Sequence, residues 1–347
     1  MCADELRVAF VIPKVDAFSG GIERSLKLLE YSDRADIRYT VFLPAEGVPN
    51  AEVEAQLVAL EGAGRTEIRR LAVRHGGVGD VFDVTVIPTE YWWGAWKRAR
   101  AGGLRAPYCL DFMQLPYIGT LDILKVVRID DPALRNLVMV PFIQAKVYSE
   151  GLLRSAYQTL ASIVSVRSSS RVRGARVLAL TSVVEKNLQA IGYRGHAFVP
   201  SCPAGIDRAM LTDPARTDEP LEYDAIYVGR FHPQKGFLDL PRVVAHLKNL
   251  LRREVRIAVC GGSDTPGHMA RFQASVRALG FERNLKILGR IPKADLYRMI
   301  RRSKILLYPS YVDAFSITVL ESLCLGVPVV AYNIDAMRMI WSLRKAV

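Results

Sequence analysis

The stretch Ser310-Tyr-Val-Asp313-Ala-Phe-Ser-Ile-Thr-Val-Leu-Glu321-Ser-Leu-Cys-Leu-Gly326-Val-Pro328-Val-Val-Ala331 decides how this 347-residue chain is read. With the apolar run Ile305–Tyr308 ahead of it, it spells buried strand, acidic loop, helix, glycine stop, proline and a second buried strand. That order belongs to an α/β sheet. Asp313 stands just before the helix and Glu321 well inside it. In the crevice of such a sheet, carboxylates accept hydrogen bonds from sugar hydroxyls while a helix N-terminus faces a phosphate.

Working outward, the same alternation fills the chain. Strands are expected at 6–13, 39–43, 84–88, 107–113, 177–180 and 197–200, with helices at about 21–31, 132–166 and 183–191. The long central helix is expected to break near Pro141 or Gly151. Residues 201–221 carry Pro203, Gly205, Pro214 and Pro220, lack periodicity and read as a linker. A second series follows. Its strands are expected at 225–228, 255–260, 285–288, 305–308 and 327–331, and its helices near 237–252, 266–279, 293–301 and 317–325. The fold class is therefore α/β, with two Rossmann-like domains at 1–204 and 205–347.

Composition narrows the function. The chain is 50% hydrophobic, and no apolar run reaches the roughly 20 residues of a membrane-spanning helix. The start lacks a basic segment followed by an apolar one, so no signal peptide is read. The five cysteines are scattered without a C-x-x-C, which fits reduced thiols in a cytoplasm and argues against zinc. The formal charge is +12. The densest basic patch, Arg167 to Arg176, reads as a solvated face or as a peripheral contact with an anionic membrane face. No aromatics interleave with it, so nucleic acid is a poor partner.

The loop Gly229-Arg230-Phe-His-Pro-Gln-Lys235-Gly236 follows the first strand of the second domain. A departing diphosphate needs cationic stabilisation. Arg grips phosphate through paired bonds and Lys acts as a point charge. A glycosidase pair of carboxylates would stand about 5–5.5 Å or 6.5–9.5 Å apart. The step from Asp313 to Glu321 would rise about 12 Å as continuous helix. That spacing suits two points along an extended nucleotide-sugar. After the first strand, Gly20 and Gly21 allow close backbone approach to a phosphate or sugar. Gly261 and Gly262 end another strand of the second domain.

These motifs together resemble the retaining GT-B glycosyltransferases of family 4. There an acidic residue, seven spacers and a Glu precede a Gly-x-Pro-Val-Val strand, and a Gly-Arg…Lys-Gly loop lies upstream. The resemblance covers nearly the whole chain, most closely over 225–331. It implies two Rossmann-like domains facing a cleft, the second lacking its usual C-terminal helices. It implies Arg230, Lys235 and Asp313 as catalytic residues. Gly20, Gly21, Gly229, Gly261, Gly262, Phe315, Ser316, Ile317 and Glu321 would bind the donor. Glu321 would hold the ribose hydroxyls and Asp313 the transferred sugar, with backbone N–H groups of 315–317 on sugar or phosphate oxygens. The family's usual residue at position 313 is Glu, and Gln114 stands where many members carry a His.

The implied activity is transfer of a sugar from a UDP- or GDP-sugar to a glycan or lipid-linked hydroxyl acceptor. Configuration would be retained, with no cofactor and no metal, in the cytoplasm or at the cytoplasmic membrane face. A non-catalytic relative that binds nucleotide-sugar and a nucleotide-sugar epimerase of the same fold remain the alternatives.

Overall fold

The computed structural model describes residues 5–341 apart from 13–14, 16–19, 32–35, 65, 72–80, 89–91, 106, 113–151, 170, 173, 191–192, 194, 201–203, 207–219 and 263–265. These residues form two compact units, and the main body of the second begins at Ala204.

The first unit is built on strands β1 (Leu6–Val11), β2 (Ile37–Leu43), β3 (Thr66–Arg70), β4 (Val84–Ile87), β5 (Tyr108–Phe112), β6 (Ala175–Ala179) and β7 (Ala197–Phe198). They form one sheet in the order β3-β2-β1-β4-β5-β6-β7, and every pairing is parallel. Helices α1 (Gly20–Tyr31), α2 (Ala51–Gly62), α3 (Trp92–Ala101), α4 (Leu152–Ser169) and α5 (Ser182–Ala190) connect the strands. Strands covered by helices on both faces must be apolar on both faces. Phe10, Ile12, Val41 and Leu43 accordingly pack with Leu26 and Leu29 of α1 and with Val53, Leu57 and Leu60 of α2. Helix α2 and strand β3 were not expected from the sequence. Val58 of α2 is exposed opposite the buried Val53 and Leu57, which blurs the helical period. Strand β3 is an edge strand with the charged residues Glu67, Arg69 and Arg70. Of the long central helix, only 152–169 lies within the described residues.

The second unit has strands β8 (Ala225–Val228), β9 (Ile257–Cys260), β10 (Leu285–Gly289), β11 (Leu306–Tyr308) and β12 (Val329–Ala331). Their order is β10-β9-β8-β11-β12, again all parallel. Two short 3₁₀ turns, Pro233–Lys235 and Phe237–Asp239, lead into α6 (Leu240–Leu251). Helices α7 (Pro266–Ala278), α8 (Lys293–Arg301), α9 (Ile317–Cys324) and α10 (Asp335–Met339) complete the unit. Its core joins Tyr227, Phe231, Phe237 and Val259 to Val244 and Phe272.

The strand order reverses between β8 and β11, because β9 and β10 lie on one side of β8 while β11 and β12 lie on the other. Open α/β sheets place their ligands outside the carboxyl ends of the strands at such a switch. Here the loops at those ends are the cationic one after β8 and the acidic one after β11.

Candidate functional site

The cationic loop is anchored by its own aromatics. The Phe231 ring stacks on Phe237, with centroids 5.6 Å apart, and Phe237 meets Phe272 at 5.3 Å. The Tyr227 hydroxyl donates to the Arg230 carbonyl at 3.0 Å. The apolar side chains thus point inward, while Arg230 remains exposed.

Backbone bonds then lash the loop to the next strand. The Phe231 amide donates to the Gly262 carbonyl at 2.7 Å, and the Gly229 amide donates to the Cys260 carbonyl at 3.1 Å. Gly261 has φ +143°, and a Cβ there would stand 1.8 Å from the Gly229 carbonyl oxygen. Only glycine permits that approach. Gly229, Gly261 and Gly262 therefore come together at the carboxyl ends of β8 and β9. Cys260, just inside this edge, is buried, and burial pushes its thiol up to about 12.

The cationic and acidic loops also touch. Gly236 adopts φ +71°, and a Cβ would lie 1.8 Å from the Pro309 carbonyl oxygen. The Tyr311 amide donates to the Gln234 carbonyl at 2.9 Å. Across this seam the Lys235 ammonium meets Asp313 Oδ2 at 2.7 Å, with side-chain exposures of 17% and 13%. The Tyr308 hydroxyl donates to the same oxygen. Asp313 Oδ1 accepts from the amides of Ala314 at 2.8 Å and Phe315 at 3.2 Å. Burial works to raise the Asp313 carboxyl. The Lys235 charge and hydrogen bond, with those from Tyr308 and Phe315, outweigh it and hold the group below its ordinary value. Tyr308 is pushed well above the usual phenol range, first by burial and then by the Asp313 charge, so it stays protonated and donates.

Beyond the turn, Ser316 has φ +70°, and its hydroxyl caps α9 by accepting from the Val319 amide at 3.2 Å. The Phe315 ring packs on Trp341 at 5.1 Å, and the Trp341 indole N–H donates to the Phe315 carbonyl at 2.6 Å. The amide of Ile317 opens the first turn of α9, where no intrahelical acceptor is available. Glu321 lies on this helix and is 1% exposed. Its carboxylate accepts from the Tyr297 hydroxyl at 3.0 Å and pairs with Lys293 at 2.5 Å.

The two acidic residues thus receive parallel treatment. Each is held by one lysine and one tyrosine, and the partners come from other elements. Sequence reading named both acids and Lys235 but missed Tyr308, Lys293 and Tyr297. Lys293 and Tyr297 stand one helical turn apart on α8, a spacing that puts them on one face. Nothing local says that this face meets α9. A second clasp was also missed. The hydroxyls of Tyr311 and Tyr332, whose rings lie 5.4 Å apart, both donate to Asp239 at the entry to α6.

In the first unit, Gly20 and Gly21 form the first turn of α1 rather than a loop ahead of it. Four residues after Gly20, Arg24 pairs with Asp111 of β5 at 2.5 Å. Asp111 is 1% exposed, and burial raises its carboxyl against the pull of Arg24. Its Oδ1 is buried without a hydrogen-bond partner among the described residues. Gln114, a few residues on, lies outside the described residues. Among the described residues, no three His, Cys, Asp or Glu side chains gather as a metal site. No helix there is long and apolar enough to cross a membrane.

Residues 214–342 match the family model described as glycosyl transferases group 1. Over these residues the second unit is similar to a group 1 glycosyltransferase domain. This domain contains every acid and cation of the seam just described. Among curated relatives, the D-inositol 3-phosphate glycosyltransferase of Corynebacterium efficiens is 29% identical over 140 residues, which cover 38% of this chain and 32% of that protein. The match therefore spans about a third of that relative's length. The enzyme of the same name from Corynebacterium aurimucosum is 26% identical over 92% of this chain and 70% of its own.

Solved structures extend the likeness to both units. Anabaena HepE, determined in complex with UDP and glucose, aligns with a TM-score of 0.62 at 15% identity, over 99% of this chain and 84% of that one. Sucrose-phosphate synthase from Thermosynechococcus elongatus aligns with a TM-score of 0.62 at 14% identity, over 96% and 82%. The fold is the GT-B arrangement of two Rossmann-like domains, as the sequence led us to expect.

Proposed function

We propose that the chain moves a sugar from a nucleoside diphosphate donor to a hydroxyl acceptor, with retention of configuration and without a metal. The single observation that carries this reading is the seam between the β8 and β11 loops. There Lys235 and the acidic turn meet, beside the exposed Arg230, inside the domain that matches the family. In this reading residues 1–204 serve the acceptor and 205–347 the donor. Arg230 grips the departing diphosphate through paired bonds. Lys235 has three donors, spends one on Asp313, and offers the others to phosphate oxygens.

The amides at the start of α9 add the positive end of a helix. Glu321 exchanges Lys293 or Tyr297 for the ribose hydroxyls. The protein's part is to orient the pair and to stabilise charge as the sugar–phosphate bond breaks, while the departing phosphate helps take the acceptor proton. UDP is the first donor base to test, since HepE was captured with it. The relatives' names put a phosphorylated cyclitol in the acceptor panel, beside glycan and lipid-linked hydroxyls. We place the activity in the cytoplasm, with peripheral contact at a membrane face through the Arg167–Arg176 patch.

Calorimetric titration with UDP, GDP, UDP-glucose and GDP-mannose tests the reading. One base is expected to bind, and Arg230→Ala or Lys235→Ala to weaken it roughly 10- to 100-fold, the scale of a lost hydrogen bond to a charged group. Absence of binding to all four compounds would reject the donor assignment. Conversion of the donor with no acceptor present would favour an epimerase.

A further inference from the structure

The Asp313 carboxylate has no acceptor capacity to spare. A carboxylate offers about four lone-pair positions. In Asp313 four donors fill them: the Lys235 ammonium and Tyr308 hydroxyl on Oδ2, and the amides of Ala314 and Phe315 on Oδ1. A sugar hydroxyl would have to displace one of these. Two of the four are bonds that Asp makes to the backbone just after itself, the closed turn its short side chain favours. Glu, the residue expected here by resemblance, is one methylene longer and does not close that turn in the same way.

We infer that Asp313 and Tyr308 are positioning residues, which hold Lys235 and the 313–316 turn in place for the donor diphosphate, and that Asp313 does not contact the transferred sugar. This rests on the donor reading above and sharpens it. The chain of support runs from strand β11 outward. Tyr308 ends β11, is 5% exposed, and pairs with β12 through the register Tyr308↔Ala331. Its hydroxyl fixes Oδ2, and Oδ2 fixes the Lys235 Nζ. The second anchor of Lys235 is its own backbone, since its amide donates to the His232 carbonyl at 2.8 Å and Gly236 is wedged against Pro309. Without Asp313 the ammonium would swing on a flexible four-carbon stem.

The two roles separate in a comparison of UDP with UDP-glucose (or GDP with GDP-mannose, whichever base the protein binds). Both ligands carry the diphosphate, and only one carries the sugar. Tyr308→Phe, Asp313→Asn and Asp313→Glu are each expected to weaken both ligands by the same factor. For Tyr308→Phe that factor is roughly 2- to 10-fold, the range of one hydrogen bond. In a Lys235→Met background, Tyr308→Phe is expected to weaken both ligands by a smaller factor than it does beside Lys235, because the part of its influence that passes through Lys235 is gone.

Three results would overturn the inference while leaving the donor reading intact. They are a loss confined to UDP-glucose, full retention of affinity in Asp313→Glu with loss in Asp313→Asn, and an unchanged affinity in Tyr308→Phe. Failure of the wild-type chain to bind any of the four compounds would instead reject the donor reading, and the inference with it. Tyr308→Phe removes only a hydroxyl, so it keeps the test decisive if an Asp313 variant does not fold.

Discussion

At the scale of single residues, charge and burial set the behaviour of the two units. Asp111 illustrates how. Its folded carboxyl is raised by burial, with Arg24 as the opposing cation. An acid with a raised folded pKa binds more protons folded than unfolded, so stability falls as pH rises from about 4 through the folded value. Arg24→Met removes the cation that favours the ionised carboxyl and is expected to destabilise the first unit at pH 7.5, with about 3–5 kcal/mol as the upper bound set by a fully ionised partner. The deficit should shrink as pH falls toward 5, since the neutral carboxyl needs no partner. Urea unfolding at the two pH values measures it, and a pH-independent deficit would refute the assignment.

Asp313 behaves in the opposite sense. Its folded pKa is lowered, so its contribution is fully present above about pH 4 and is lost on further acidification. Affinity for UDP in the wild type should therefore be steady from pH 8 to pH 5 as far as Asp313 is concerned. Titration calorimetry across that range checks this. Asp313, Glu321 and Lys235 could be named from sequence because their types and spacing are local features. Tyr308, Tyr297 and Lys293 could not, because each reaches its carboxylate from a different strand or helix.

At the scale of elements, two loop contacts depend on glycine, that of the β8 and β11 loops on Gly236 and that of the β8 and β9 loops on Gly261. Gly261 and Gly236 both have positive φ, and a Cβ on either would stand 1.8 Å from a carbonyl oxygen. Gly261→Ala and Gly236→Ala are each expected to destabilise the second unit by at least about 2 kcal/mol, from backbone strain with a steric clash added. Denaturant midpoints report this. A loss below 0.5 kcal/mol, within the range of an ordinary surface change, would show that the loops do not press together as described. Strand β8 and helix α8 fall at the expected residues, because the second unit's apolar runs are short and bounded by glycine or proline. Helix α2 and strand β3 escaped notice for a physical reason. A helix with Val58 exposed and an edge strand bearing Glu67, Arg69 and Arg70 do not show the patterns that burial on one face imposes.

At the scale of the whole molecule, each unit has its own core, one around Phe10 and Val41 and the other around Phe237 and Val259. Two-state unfolding is not expected of such a chain. UDP at 100 times its dissociation constant should stabilise the unit that binds it by about 2.7 kcal/mol. That raises one calorimetric transition by roughly 5–10 °C and leaves the other in place. A shift of both transitions, or of neither, would count against a donor site within the second unit. The sequence by itself determined the α/β class, the doubled arrangement and the placement of acids and cations after particular strands. Strand periodicity, glycine stops and residue spacing are carried by neighbours in the chain. Only the tertiary structure decided that the β8 and β11 loops meet, that Lys235 closes on Asp313, and that Tyr308 and Tyr297 hold the two carboxylates. Those contacts join residues up to 78 positions apart, and sheet order sets them rather than any local pattern.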